Sequence, residues 1–420
     1  MASLTRALKH RNYRLFFSGQ TVSLIGTWIT RIATSWLVYR LTKSELLLGV
    51  VNFAGQIPLL LLAPFAGVWV DRWNRHRILV VTQILSALQS AALAFLAFTH
   101  ISVTQVIVLQ VVQGLINAFD TPARQAFVVE MVADREDVPN AIALNSAMFN
   151  GSRIIGPTIG GVLLAAVGEG WCFAADAISY IAVIVSLVLM RDVRGRRASR
   201  QRKMLEEMRE GWKYVSGFAP VRALLLIISI VSVAGMPYAT LMPVIADQTL
   251  HGGPHTLGIL MTASGAGALV GTMYLASRHT VLGLGRVIIA ATAALSVGLI
   301  AFSFSKSLLL SICVLPLVGA GMMLQSSSAN TILQTVVTED LRGRVMAFYR
   351  VAVLGTMPIG SLLAGWVAQQ IGAPRTILGG AVICLASAGY FATQRPKLAA
   401  LIRPIYVERG IMEPLNETSG

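Results

Sequence analysis

The stretch LLLGVVNFAGQIPLLLLAPFAGVW, residues 46–69, contains no charged side chain; it gives way to VDRWNRHR at 70–77, and apolar sequence resumes as ILVVTQILSALQSAALAFLAF at 78–98. A helix rises about 1.5 Å per residue, so about 20 mainly apolar residues cross the hydrocarbon core of a bilayer. Two such stretches joined by a short basic segment read as a pair of membrane-spanning helices with the charged turn left in water.

The same pattern recurs outward from this pair, at 15–38, 101–119, 141–167, 171–190, 220–245, 256–276, 286–304, 307–330, 345–369 and 375–392. Apolar residues form 55% of the 420-residue chain and charged residues 13%, a balance that excludes a soluble fold. The expected class is an all-α polytopic membrane protein with twelve transmembrane helices in two six-helix bundles. Turns around His100 and at 168–170 leave no room for soluble domains.

After Met190 the composition changes abruptly into Arg191, Asp192, Arg194, Arg196, Arg197, Arg200, Arg202 and Lys203. Such a run cannot enter lipid cheaply, so it divides six spans from six. The expected organisation is a cytoplasmic N-terminal segment at 1–14, a bundle at 15–190, a cytoplasmic linker at 191–219, a second bundle at 220–392 and a cytoplasmic tail at 393–420. Within the linker, Met204, Leu205, Met208 and Trp212 share a helical face, which suits either a helix on the membrane surface or a solvated spacer. The halves carry faint internal similarity: Gln125 to Glu130 follows the fourth span as Gln334 to Glu339 follows the tenth, and the next spans contain Pro157 and Pro358. Paired repeats in membrane transporters commonly flank the substrate site.

A formal charge of +15 raises the question of nucleic acid, and its placement removes it. With the N-terminus inside, the cytoplasmic segments receive Arg6, Lys9, Arg11, Arg14, Arg72, Arg75, Arg77, Arg124 and Arg135, the linker arginines and the basic tail, whereas the opposite loops hold only Arg40, Lys43, Lys306 and Arg375. This asymmetry places both termini in the cytoplasm of a cell membrane, expected to be a bacterial inner membrane. The first span is too long for a signal-peptide core and lacks a convincing cleavage site, so it is read as retained. Cys172, Cys313 and Cys384 are scattered and read as packing residues; no metal or other cofactor is expected.

Several spans are polar along one face. The first carries Gln20, Ser23, Thr27, Arg31 and Thr34, the second Asn52 and Gln56, the fourth Gln110, Gln113, Asn117 and Asp120, and the tenth Gln325, Ser326, Ser328, Asn330 and Gln334. Spacings of three and four put each set on one side of a helix, turned from lipid toward other helices or a hydrated passage. Arg31, Arg153 and Asp176 are charges inside apolar helices, each needing a partner or an aqueous opening. Arg31 and Asp176 lie in the outer halves of their spans and can pair there, either as a permanent bridge or with the carboxylate exchanging a proton. Arg31, Asn52, Gln56, Gln113, Asp176 and Gln325 are the candidate cavity or coupling residues, and Trp28 and Trp36 suit either aromatic contacts to a substrate or packing and interfacial anchoring. No compact acid/base or metal constellation marks an enzyme.

Two motifs sharpen the reading. Gly67, Asp71, Arg72 and Arg75 belong to a turn in which one acid sits among arginines, suited to a contact made in one conformation and lost in another. Gly156, Pro157, Gly160 and Gly161 combine a missing backbone donor with a small face that admits a neighbouring helix. On these motifs, with Asp120 to Phe127 after the fourth span, the chain resembles the major facilitator superfamily over about residues 10–395, specifically its drug or siderophore efflux branch. The resemblance implies a cytoplasmic gate at Gly67, Asp71, Arg72 and Arg75 and an exporter-type hinge at Gly156, Pro157, Gly160 and Gly161. Asn74 stands where a Gly is usual, and Gln110 where exporters often carry an arginine linked to proton coupling, so that charge does not carry over.

The implied function is secondary export of a small amphipathic compound or siderophore by alternating access and proton antiport, performed by a monomer in the lipid bilayer, without nucleic acid. Proton-coupled uptake of a small solute and a non-transporting membrane sensor are the competing functions.

Overall fold

The computed structural model describes residues 5–132, 134–191, 204–278 and 280–413. Thirteen long helices account for most of them. The first half contains α1 (Arg11–Thr42), α2 (Glu45–Arg72), α3 (Arg75–Phe98), α4 (Val103–Glu130), α5 (Val138–Val167) and α6 (Glu169–Val188). The linker forms α7 (Met204–Gly217). The second half contains α8 (Ala219–Thr249), α9 (Pro254–Ala276), α10 (Leu284–Phe304), α11 (Leu308–Val336), α12 (Glu339–Ile371) and α13 (Ala373–Glu408). Wider turns of backbone interrupt α8 at Val231–Gly235 and Ile245–Thr249, and α12 at Val351–Gly355.

Among the described residues, ten helices are long and apolar enough to cross a membrane by composition alone. The two bundle helices outside that set are α1 and α5, which carry Arg31 and Arg153. Their length is ample, and their polarity is offset by packing inside the bundles: α1 lies against α5 and α6, and α5 against α1 and α9. The last apolar stretch, 375–392, is the N-terminal half of a longer helix, because α13 continues to Glu408 and buries Leu398 and Tyr406 against the second half.

Local chemistry explains the abrupt turns. The Ser44 hydroxyl accepts from Leu47 N to start α2, the Asn74 side chain accepts from Arg77 N to start α3, and Ser102 and Gln105 form a reciprocal cap on α4. Single glycines in the left-handed region join α5 to α6 (Gly168, φ 85°) and α12 to α13 (Gly372, φ 86°). These turns occupy equivalent places in the two halves, which strengthens the internal repeat.

The halves meet through two matching pairs, α5 with α9 and α2 with α12. At the first, a Cβ on Gly161 would lie 2.7 Å from Gly258 Cα; at the second, a Cβ on Gly365 would lie 3.1 Å from Gly49 Cα. Both seams lie toward the end opposite the termini. One apolar cluster there joins the two bundles, from Ile32, Leu37 and Phe173 to Leu241, Leu260 and Phe302. At the terminal end the apolar side chains separate into one cluster per half, one around Tyr13, Leu79 and Phe127 and the other around Leu224, Leu333 and Val345. The molecule is closed at one end and parted at the end bearing its termini.

Candidate functional site

Gly156 and Gly160 of α5 pack against α1 at Trp28 and Ile29, and Gly161 turns to α9. The small residues thus seat two helices on one, and this close seam brings the interior arginines together. Arg31 lies one turn beyond Trp28, with its guanidinium carbon 5.1 Å from the Trp28 ring centroid. It is exposed yet deep among the helices, as a side chain on an interior cavity wall is, and its charge is repelled by that of Arg153. Arg153 Nη2 reaches Met322 Sδ of α11 at 3.5 Å, a weak acceptor for a guanidinium. Placing one such charge at a span centre costs roughly 2.5–3.5 kcal/mol on insertion scales, so two without an anionic partner are an expensive feature.

The expected pairing of Arg31 with Asp176 is not present. Asp176, 2% exposed, faces the α3–α6 side of α1, where Gly26 gives it room. Ser90 Oγ of α3 donates to Asp176 Oδ2 at 2.8 Å, and Ser179 Oγ donates to the Asp176 carbonyl at 2.7 Å. The carboxyl thus accepts from Ser90 and has Ser179 Oγ 3.5 Å from Oδ1, with no cation among the described residues bridged to it.

The other candidates lie apart from one another on α2, α4 and α11. Asn52 Nδ2 donates back to Leu48 O at 3.2 Å, and Gln56 is half-buried on the same helix. Gln113 Nε2 donates to Ser86 Oγ at 3.2 Å and Asn117 Oδ1 at 3.1 Å. Gln325 is buried on α11 with its Nε2 unbonded among the described residues. The α1 stripe divides: Gln20, Ser23 and Thr34 are buried between helices, whereas Thr27 and Arg31 are exposed.

At the turn between α2 and α3, Arg75 Nη1 donates to Glu130 Oε1 at 2.5 Å, and Arg72 is exposed. The side chain of Asp71 and the surroundings of Gly67 lie outside what the structure describes. Nearby, Asp120 accepts from Thr82 Oγ1 at 3.0 Å and Gln83 Nε2 at 2.7 Å, with Arg124 3.4 Å away. His10, Asp134 and Asp137 cluster with metal-like spacing, but Lys9 and Arg6 sit on those carboxylates.

Sequence reasoning missed the polar ties across the closed end. Asp247 Oδ2 accepts from Lys43 Nζ at 2.8 Å and Tyr39 Oη at 3.0 Å, and Ser44 Oγ donates to Gln369 Oε1 at 2.9 Å. Every one of these joins the first half to the second. The described ion pairs at the terminal end, including Arg344 with Glu210, stay within one half or between a half and the adjoining linker helix.

Known proteins share this fold. The chain matches the family described as transmembrane secretion effector over residues 2–403. It is 29% identical over 392 residues to the staphyloferrin A transporter of Staphylococcus aureus (strain NCTC 8325 / PS 47), covering 92% of this chain and 97% of that protein. It is 24% identical over 396 residues to macrolide efflux protein A of Streptococcus pyogenes, covering 90% of this chain and 96% of that protein. Among solved structures, an inward-facing, unoccupied bacterial homolog of the human lysosomal transporter Spinster superposes with a TM-score of 0.70 at 13% identity, covering 94% of this chain and 98% of that one. A D-xylose-proton symporter superposes with a TM-score of 0.69 at 13% identity, covering 92% and 96%. The chain belongs to the transmembrane secretion effector family of the major facilitator superfamily, in its drug and siderophore efflux branch, and is a membrane transporter, not an enzyme.

Proposed function

We propose that the protein is a secondary exporter that moves a small amphipathic compound or siderophore out of a bacterial cell by alternating access and proton antiport. The observation that carries this reading is the cleft: two equivalent bundles sealed at one end, parted at the other, with Arg31 and Arg153 between them. The excess of Lys and Arg in the loops at the parted end supports a cytoplasmic location for that end and for both termini. The bundles at 15–190 and 220–392 would rock about the α5–α9 and α2–α12 seams as a functional monomer in the inner membrane. Asp71, Arg72 and Arg75, with Gly67, would close the cytoplasmic mouth, and Gly156, Pro157, Gly160 and Gly161 would form the moving interface. Asn52, Gln56, Gln113 and Gln325 would line or brace the passage. The efflux names of relatives support the outward direction.

Asp176 is the proton carrier in this scheme. A carboxyl held by hydroxyls and not by a cation can take a proton without breaking an ion pair, and its position beside α1 couples it to the helix that carries Arg31. Inside-out vesicles containing the purified protein test the scheme with erythromycin and ethidium as probes. Accumulation driven by an acidic lumen and abolished by a protonophore is expected. Accumulation that survives collapse of the gradient rejects antiport, movement only in the opposite direction indicates uptake, and binding without passage indicates a sensor.

A further inference from the structure

Arg31 and Arg153 lie one turn to either side of the Trp28–Gly156 contact that joins α1 to α5, and among the described residues no carboxylate is bridged to either. Asp176 lies on another face of α1, bonded to Ser90. Asp120 is held by Thr82, Gln83 and Arg124, and Glu130 by Arg75, both toward the terminal end; Glu45, Glu169 and Asp247 belong to the closed end. Among the described residues Arg31 contacts the Trp28 ring face and Arg153 a methionine sulfur, so neither guanidinium is neutralised. A structural pair of arginines would be expected to enclose an acid. A pair that repels at the wall of a cavity lowers its energy when an anion enters, and low dielectric around the site strengthens that attraction.

We infer that the transported compound carries an anionic group, a carboxylate or an acid of similar size, seated between Arg31 of α1 and Arg153 of α5 with its apolar part against Trp28. The inference rests on the transport reading above and narrows its substrate class. The planar guanidinium fork suits a carboxylate, to which it donates two parallel hydrogen bonds in fixed geometry. Trp28 is half-buried beside Phe149, their ring centroids 6.4 Å apart, which supplies an aromatic surface next to the cationic pair. Because Arg153 also contacts Met322 of α11, an anion held here would bind a side chain that itself touches the second half.

Dansylglycine and its neutral analogue dansylglycinamide, nearly equal in shape, test the charge requirement in nanodiscs of the purified full chain without a proton gradient. Wild-type protein is expected to bind the acid at least about tenfold more tightly than the amide, since a charge-assisted pair contributes this much. Arg31→Gln and Arg153→Gln should each remove most of that preference, and Arg31→Lys should keep part of it. Equal or tighter binding of the amide, or no binding of the acid, overturns the inference, and this comparison needs no variant to fold. Glutamine variants that unfold like wild type and keep the preference overturn the assignment to these arginines. Vesicle transport of the amide but not the acid overturns the anion while leaving the exporter reading intact; charge-selective binding without passage supports the anion and counts against export.

Discussion

Lys43 Nζ lies 2.8 Å from Asp247 Oδ2, joining the end of α1 to the end of α8, the first membrane helix of each half. Tyr39 Oη donates to the same oxygen, so one carboxylate gathers two groups from α1. Both charged side chains keep solvent exposure, and exposed pairs contribute only about 0.2–1 kcal/mol. The pair therefore biases closure without locking it. Asp247→Asn is expected to raise the population open at this end by about two- to fivefold, read as a longer distance between spin labels at His100→Cys and Lys306→Cys in a background lacking the native cysteines. An unchanged distance distribution would falsify the latch.

The Asp176–Ser90 contact supplies the second test. Asp176→Asn keeps the side-chain volume and can still accept from Ser90, but it cannot exchange a proton. Gradient-driven accumulation should fall at least about tenfold while substrate-for-substrate exchange across the membrane persists. Ser90→Ala, which removes one donor and leaves Ser179, should reduce coupling by a smaller factor. Intact pH-driven accumulation in Asp176→Asn sinks the proton assignment.

Glycines on α5 separate packing within a half from packing between halves. A Cβ at Gly161 would stand 2.7 Å from Gly258 Cα, a distance side chains do not tolerate, whereas at Gly160 the nearest atom, Ile29 Cα, is 3.2 Å away. Overpacking typically costs about 1–3 kcal/mol, and at Gly161 it falls on the seam that must hold the halves together. Gly161→Val should lower transport about tenfold and open the sealed end in the spin-label measurement, with Gly160→Ala milder on both. Equal behaviour of the two variants rejects a special role for the α5–α9 seam.

The spans were legible because about 20 apolar residues can do little else in water than seek a bilayer. Helices α1 and α5 were visible through their neighbours more than through their own hydropathy, since Arg31 and Arg153 dilute it. Those same charges were legible as candidates for the reason that makes them costly. Their partners were not. Asp176 and Arg31 both lie in the outer halves of their spans, but Asp176 touches Gly26, and the five residues from Gly26 to Arg31 carry Arg31 about 7.5 Å along α1 and turn it some 140° away. Depth follows from counting along a helix; direction across a bundle depends on which neighbour it packs against. The Lys43–Asp247 tie was hidden for a similar reason, because its partners stand in different halves.

The N-terminal segment offers a pH-resolved prediction. Asp137, 2% exposed before α5, has Lys9 Nζ at 2.8 Å, His10 Nε2 at 3.0 Å and Arg6 Nε at 3.6 Å, and Ala7 N donates to Asn140 Oδ1 at 2.9 Å. Lys9, followed by His10, holds the Asp137 carboxyl below the ordinary carboxylate range, and Asp137, followed by Asp134, holds the Lys9 ammonium above the ordinary lysine range. The carboxylate's contribution is present above its unfolded pKa and lost as pH falls through the lower folded value. The ammonium's contribution is present below its unfolded pKa and lost as pH rises through the higher folded one. The clamp should therefore hold across the whole neutral range and release only in strong acid or strong alkali. A fluorophore on Thr5→Cys, with Cys313 replaced by Ser, should show constant anisotropy between about pH 6 and 9 and a fall in acid. Asp137→Asn should give the low-anisotropy state already at neutral pH, because one substitution withdraws the carboxylate that three basic side chains share. If that variant matches wild type throughout, the segment is held by Ala7 and Tyr13, whose hydroxyl donates to Ala141 O at 2.8 Å, and not by the charge cluster.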